Sequence, residues 1–108
     1  MQIFSSYDDG RLTLFFSGEL DQHGAHDAMK TIDRLLDEYL PRDCALDMSG
    51  LTFMDSSGIA LILRAYRRMQ LTGGRAWIEN AGGQALRVIE ASGIERIMHI
   101  KLTRGACK

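Results

Sequence analysis

The sequence has a single proline among 108 residues, two cysteines, one tryptophan and no surplus of either charge. Each shortage excludes something. With only Pro41, no internal repeat and no low-complexity stretch, nothing reads as an interdomain linker. Cys44 lies in an apolar segment and Cys107 in a polar tail. That pair makes neither a disulfide framework nor a metal-ligand pattern, so a reduced, cytoplasmic setting is expected. A net charge of −1 lacks the clustered basic excess that nucleic acid or an anionic membrane surface selects, and neither is expected as a partner. The longest apolar run, Ile59 to Leu63, is too short to span a bilayer. The stretch Met1 to Asp9 has acidic residues and no basic region before an apolar core, unlike a signal peptide. Neither a phosphate-cradling G-x-x-x-x-G-K-[ST] segment nor a G-x-S-x-G elbow occurs.

What is present suits one domain over residues 1–108 with one core; 45% hydrophobic and 25% charged residues are ordinary for such a domain. Asp9-Gly10 separates two runs rich in β-branched and aromatic residues, Gln2 to Tyr7 and Arg11 to Ser17, which predicts a hairpin. Gly18 to Gln22 reads as a loop. Apolar residues at 25, 28, 29, 32, 35, 36 and 39 give helical spacing from His23 to Leu40, and Pro41 stops that helix. Cys44 to Met48 reads as a strand with Cys44, Leu46 and Met48 on one face. A second helix presents Ile59, Ile62, Leu63, Tyr66 and Met69 and ends near Gly73-Gly74. A strand over Arg75 to Glu79, a short helix from Gly83 to Ala91 and a strand from Ile97 to Leu102 follow. A hairpin and then helix and strand in alternation predicts an α/β fold with a mixed, mostly parallel sheet, right-handed crossovers and packed helices.

The most informative stretch is Leu51 to Gly58, LTFMDSSG, leading straight into a helix. Ser56 and Ser57 sit beside Asp55 at a helix mouth, where unpaired N–H groups favour an anion. The plain reading is that one serine caps the helix begun by Gly58 or Ile59. A phosphate on that serine would meet the positive helix end and the negative Asp55 together, altering the local field without unfolding the domain. Glu19 and Asp21, in the loop after the second strand, are expected near Asp55 because ligands and partners gather at strand carboxyl ends in open sheets. Three carboxylates so placed are an unspecific metal signal, and no metal site or cofactor is expected. An enzyme reading fares poorly. A Ser56, His23, Asp21 constellation can be drawn, but nothing else supports a nucleophile with an oriented base. His99 reads as a packing or edge residue, and Arg64, Arg67 and Arg68 as a solvated helix face.

The segment Leu51 to Tyr66, LTFMDSSGIALILRAY, resembles the signature of the bacterial anti-anti-sigma factors (anti-sigma factor antagonists) in the STAS domain family, and is especially similar to the sporulation type. SGELD at 17–21, and Gly73-Gly74 followed by a strand and a helix ending in SGI, extend the resemblance over nearly the whole chain. It implies a STAS fold and a partner switch. An anti-sigma factor that is also a serine-protein kinase of the histidine-kinase-like ATPase fold would bind the unphosphorylated protein and release a sigma factor. Phosphorylation would reverse this, and a PP2C-type phosphatase would reset it. The resemblance makes Ser56 the phosphoacceptor, framed by Asp55, Ser57 and Gly58, with Glu19 and Asp21 lining the same surface; Arg64 and Arg67 are added as candidate partner contacts. The alternative is an unmodified STAS scaffold in a transport complex, with the serine only a cap. Many family members end in a further amphipathic helix, for which Leu102 to Lys108 has too few apolar residues.

Overall fold

A computed structural model describes residues 1–102. Along the chain run β1 (Gln2–Asp8), β2 (Arg11–Leu20), α1 (Gln22–Tyr39), β3 (Asp43–Met54), α2 (Ser56–Leu71), β4 (Arg75–Glu79), α3 (Gly83–Ser92), a 3₁₀ turn (Ile94–Arg96) and β5 (His99–Lys101). The expectation for the tail falls on residues 103–108 and lies outside the described residues.

The hairpin forms as its turn residues dictate. Asp9 at φ 51° and Gly10 at φ 82° are both left-handed, the backbone of a two-residue turn that matches strand twist. β1 pairs antiparallel with β2, and β2, β3, β4 and β5 pair in parallel, in the order β1-β2-β3-β4-β5. The mixed, mostly parallel sheet expected from the element order is therefore present.

All three helices contribute to one core, built on Leu12, Leu14 and Phe16 of β2 and Cys44, Leu46 and Met48 of β3. α1 buries Ala25, Ala28, Ile32, Leu35 and Leu36, the expected stripe. In α2 the deepest residues are Leu61, Ile62, Ala65 and Met69, whereas Ile59, Leu63 and Tyr66 are only partly buried. All five expected residues are thus buried or packed against the core, and the apolar face is wider than the one read in the sequence, taking in Leu61 and Ala65 as well. On the opposite sheet face, Ala45 and Trp77 are buried outside this core, with Arg11 and Lys101 lying 5.1 and 4.6 Å from the Trp77 ring.

Three boundaries differ from expectation. β2 continues to Leu20, so most of the expected Gly18–Gln22 loop is strand, and only Asp21 separates it from α1. β3 runs 12 residues rather than ending at Met48. The two extensions pair with each other, Gly18 with Leu51, Glu19 with Phe53 and Leu20 with Met54, through bulges that break the alternation by which strands are recognised. Gly50 permits this closeness, since a Cβ there would sit 2.8 Å from the Phe16 carbonyl oxygen. The last strand is shorter than Ile97–Leu102 because the 3₁₀ turn precedes it and leaves Ile97 half exposed.

Candidate functional site

The carboxyl ends of β2 and β3 lie side by side, and each feeds a helix through a single aspartate. Asp21, in extended conformation, caps α1: its Oδ1 accepts from the amides of His23 at 3.0 Å and Gly24 at 3.2 Å. Asp55, also extended, caps α2 and accepts from the Ser57 amide at 2.8 Å. The capping role expected of a serine therefore belongs to Asp55. Both residue types cap well, and the choice falls to whichever has the non-helical backbone. Ser56 and Ser57 are the first residues of α2 instead.

This leaves Ser56 exposed, with no hydrogen-bond partner for its hydroxyl among the described residues. The helix mouth is also less open to an anion than the sequence suggests, because Asp55 occupies the Ser57 amide and its carbonyl accepts from Gly58 at 2.9 Å. Gly58 is buried for a packing reason. A Cβ there would lie 2.3 Å from Met54 Cγ and 3.1 Å from Leu20 Cδ2, so only glycine lets α2 start so close to the two strand ends.

The backbone segments that carry Glu19, Asp21 and Asp55 are neighbours: the Asp55 amide donates to the Leu20 carbonyl at 3.2 Å, and Glu19 is opposite Phe53. Glu19 is exposed, and with Asp21, His23 and Asp27 it lines a cavity of about 440 Å³ beside α1. Among the described residues no three metal-ligating side chains converge. The drawn Ser56, His23, Asp21 constellation lacks its orienting bond, because Asp21 bonds the His23 backbone amide rather than its ring. His99 is exposed on the edge strand β5.

The basic residues of α2 divide. Arg64 makes a bidentate contact with Asp33 of α1, Nη2 donating to Oδ2 at 2.7 Å and Nε to Oδ1 at 3.3 Å, and Arg68 donates to Asp33 at 3.0 Å and also pairs with Asp37. These ion pairs tie α2 to α1. Arg67 is exposed and makes no ion pair among the described residues, so its charge is available at the surface. The Asp33 carboxyl is held below its ordinary value, chiefly by the Arg64 hydrogen bond, against the opposing effect of burial.

One contributor went unread in the sequence: Gln84, at the start of α3, bonds both backbone groups of Met54. A lone glutamine after two glycines carries no local signal, and only the tertiary placement of α3 exposes its role.

A family model described as the STAS domain matches residues 6–107. A Paenibacillus polymyxa protein named anti-sigma F factor antagonist is 30% identical over 100 residues, covering 93% of this chain and 86% of that protein. The solved structure of the anti-sigma factor antagonist SpoIIAA in its unphosphorylated form superposes with a TM-score of 0.79 at 22% identity, covering 98% of this chain and 93% of that one. The phosphorylated form of SpoIIAA, described as a Bacillus cell fate determinant, gives a TM-score of 0.71 at 22% identity, covering 98% and 96%.

Proposed function

The chain belongs to the STAS domain family, and from that premise we propose that it is an anti-sigma factor antagonist whose partner binding is switched by a phosphate on Ser56. The observation that carries this reading is the state of Ser56. It is exposed at the first turn of α2, and its hydroxyl is uncommitted because Asp55 supplies the cap. A kinase can take such a hydroxyl without breaking a bond that holds the fold.

In this reading the unphosphorylated surface formed by Glu19, Asp21, Asp55, Ser56 and Ser57 over the buried Gly58, extended by the exposed Arg67, docks on a cytoplasmic anti-sigma factor and displaces its sigma factor; Arg64 is held by Asp33 and serves the α1–α2 junction instead. The anti-sigma factor is also a serine-protein kinase of the histidine-kinase-like ATPase fold. Phosphate adds close to two negative charges beside Asp55, and like-charge crowding at a desolvated contact costs several kcal/mol. The complex then separates, and a PP2C-type phosphatase restores the binding form. This chain performs no catalytic step.

The test incubates the protein with ATP and an active serine-protein kinase of the ATPase fold from the same organism. One phosphate, mapped to Ser56 by peptide mass spectrometry, is expected. Ser56→Ala is expected to keep partner affinity within about threefold and to take no phosphate. Ser56→Asp is expected to lose affinity by about tenfold or more. Equal affinity for wild type and both variants, with no modification by an active kinase, overturns the switch in favour of a scaffold role.

A further inference from the structure

β3 outruns its neighbour. Its pairing with β4 ends at Asp47 opposite Glu79, so residues 48–54 continue without a strand on that side. At the tip of this overhang the missing neighbour is replaced by one side chain. Gln84 Oε1 accepts from the Met54 amide at 2.8 Å, and Gln84 Nε2 donates to the Met54 carbonyl at 2.9 Å. A carboxamide has one donor edge and one acceptor edge, so it can supply both bonds that an adjoining strand would give a single residue. On the other flank, β2 holds the same point through Leu20 opposite Met54 and through the bond from the Asp55 amide to the Leu20 carbonyl.

Met54 is also fixed by its side chain, fully buried with its thioether in the space left by Gly58. Backbone and side chain are thus clamped together, immediately before Asp55 and Ser56. Because Ser56 makes no side-chain bond of its own, the placement of its backbone and Cα–Cβ bond is inherited from this anchor and from the Asp55 cap.

We propose that Gln84 is a positioning residue for phosphoryl transfer: by pairing both backbone groups of Met54, it fixes the turn that presents Ser56 to the kinase. The inference rests on the reading of Ser56 as phosphoacceptor. Displacement of a reacting group by a fraction of an ångström lowers the rate of an in-line transfer far more than it lowers docking affinity.

The decisive variants are Gln84→Glu and Gln84→Met in the full chain. At pH 7 the glutamate carboxylate still accepts from the Met54 amide but turns a second oxygen toward the Met54 carbonyl; protonated, it regains a donor and imitates the amide. Methionine keeps the length and loses both bonds at any pH. Both variants are expected to lower the maximal rate of Ser56 phosphorylation by about tenfold with KM within about twofold. The amide resonances of Met54 to Ser57 should shift at pH 7 in both. They should return to wild-type positions on acidification in Gln84→Glu only. The carboxylates of Asp55, which follows Met54, and of Glu19, opposite Phe53 on β2, lie near this turn, so wild type is followed in parallel over the same range.

Wild-type maximal rates in both variants, or unmoved Met54 to Ser57 amides, overturn the proposal. A loss confined to KM also overturns it, because that would make Gln84 a docking contact. If wild type itself takes no phosphate, the switch at Ser56 fails, and the amide resonances alone decide whether Gln84 holds the turn.

Discussion

Asp55 shows how one side chain settles the use of its neighbours. With backbone angles of −118° and −166° it stands outside the helix and takes the cap, leaving two hydroxyls in the first turn without that duty. Gly58 is the complementary case, a residue whose function is to be absent. Gly58→Ala gains helix propensity of about 1 kcal/mol, yet drives a methyl into Met54 Cγ and Sδ. Overpacking of this kind costs about 1–3 kcal/mol, so urea unfolding is expected to show net destabilisation, with nonadditive coupling when Met54→Ala is combined. The short motif around these residues was legible because Asp, Ser and Gly together at a helix start have few other uses. Which of them caps was not legible, since the answer depends on a single backbone conformation. Gln84 was invisible for a different reason: its partner is 30 positions away in the chain.

At the scale of elements, legibility followed periodicity. α1, with seven apolar positions in register, was read with its buried face correct, and Asp9-Gly10 gave the hairpin. The carboxyl ends of β2 and β3 are not legible in the sequence, because glycine, serine and bulges there interrupt the alternation. In α2 the five expected residues do face the core, Ile62 and Met69 buried and Ile59, Leu63 and Tyr66 packed against it, but the buried Leu61 and Ala65 widen that face beyond the expected stripe. The junction of α1 and α2 adds an electrostatic brace on top of packing. Asp33 titrates below its ordinary value of 3.8, led by the Arg64 hydrogen bond. A carboxylate depressed on folding stabilises above its unfolded pKa, and that contribution disappears as pH falls through the lower folded value. The stability difference between wild type and Asp33→Asn should therefore be constant above about pH 5 and close in more acidic solution. Thermal melts across pH check this. Because Arg64 is largely solvent-facing, added salt should narrow the same difference.

For the whole molecule, Ser56 is exposed at the end of the sheet, next to the core residues Leu20 and Met54 but outside the core itself, so its substitution and stability are separable. Ser56→Ala and Ser56→Asp are expected to melt within about 4 °C of wild type, as exposed substitutions without bonded partners do. A larger drop by calorimetry would mean that the serine is structural. Among the described residues no helix is long and apolar enough to cross a membrane. The strand order has a further consequence. In this sheet spatial order and chain order coincide from β1 to β5. Each strand adds to an edge that the preceding one has just completed, and none is inserted between two others. A chain emerging from the ribosome amino end first thus meets its template at every step. Each parallel pairing closes a loop of one helix and its flanking turns. The nascent sheet can grow by accretion, and the segment bearing Ser56 acquires its β2 support before β4, α3 and Gln84 have been synthesised.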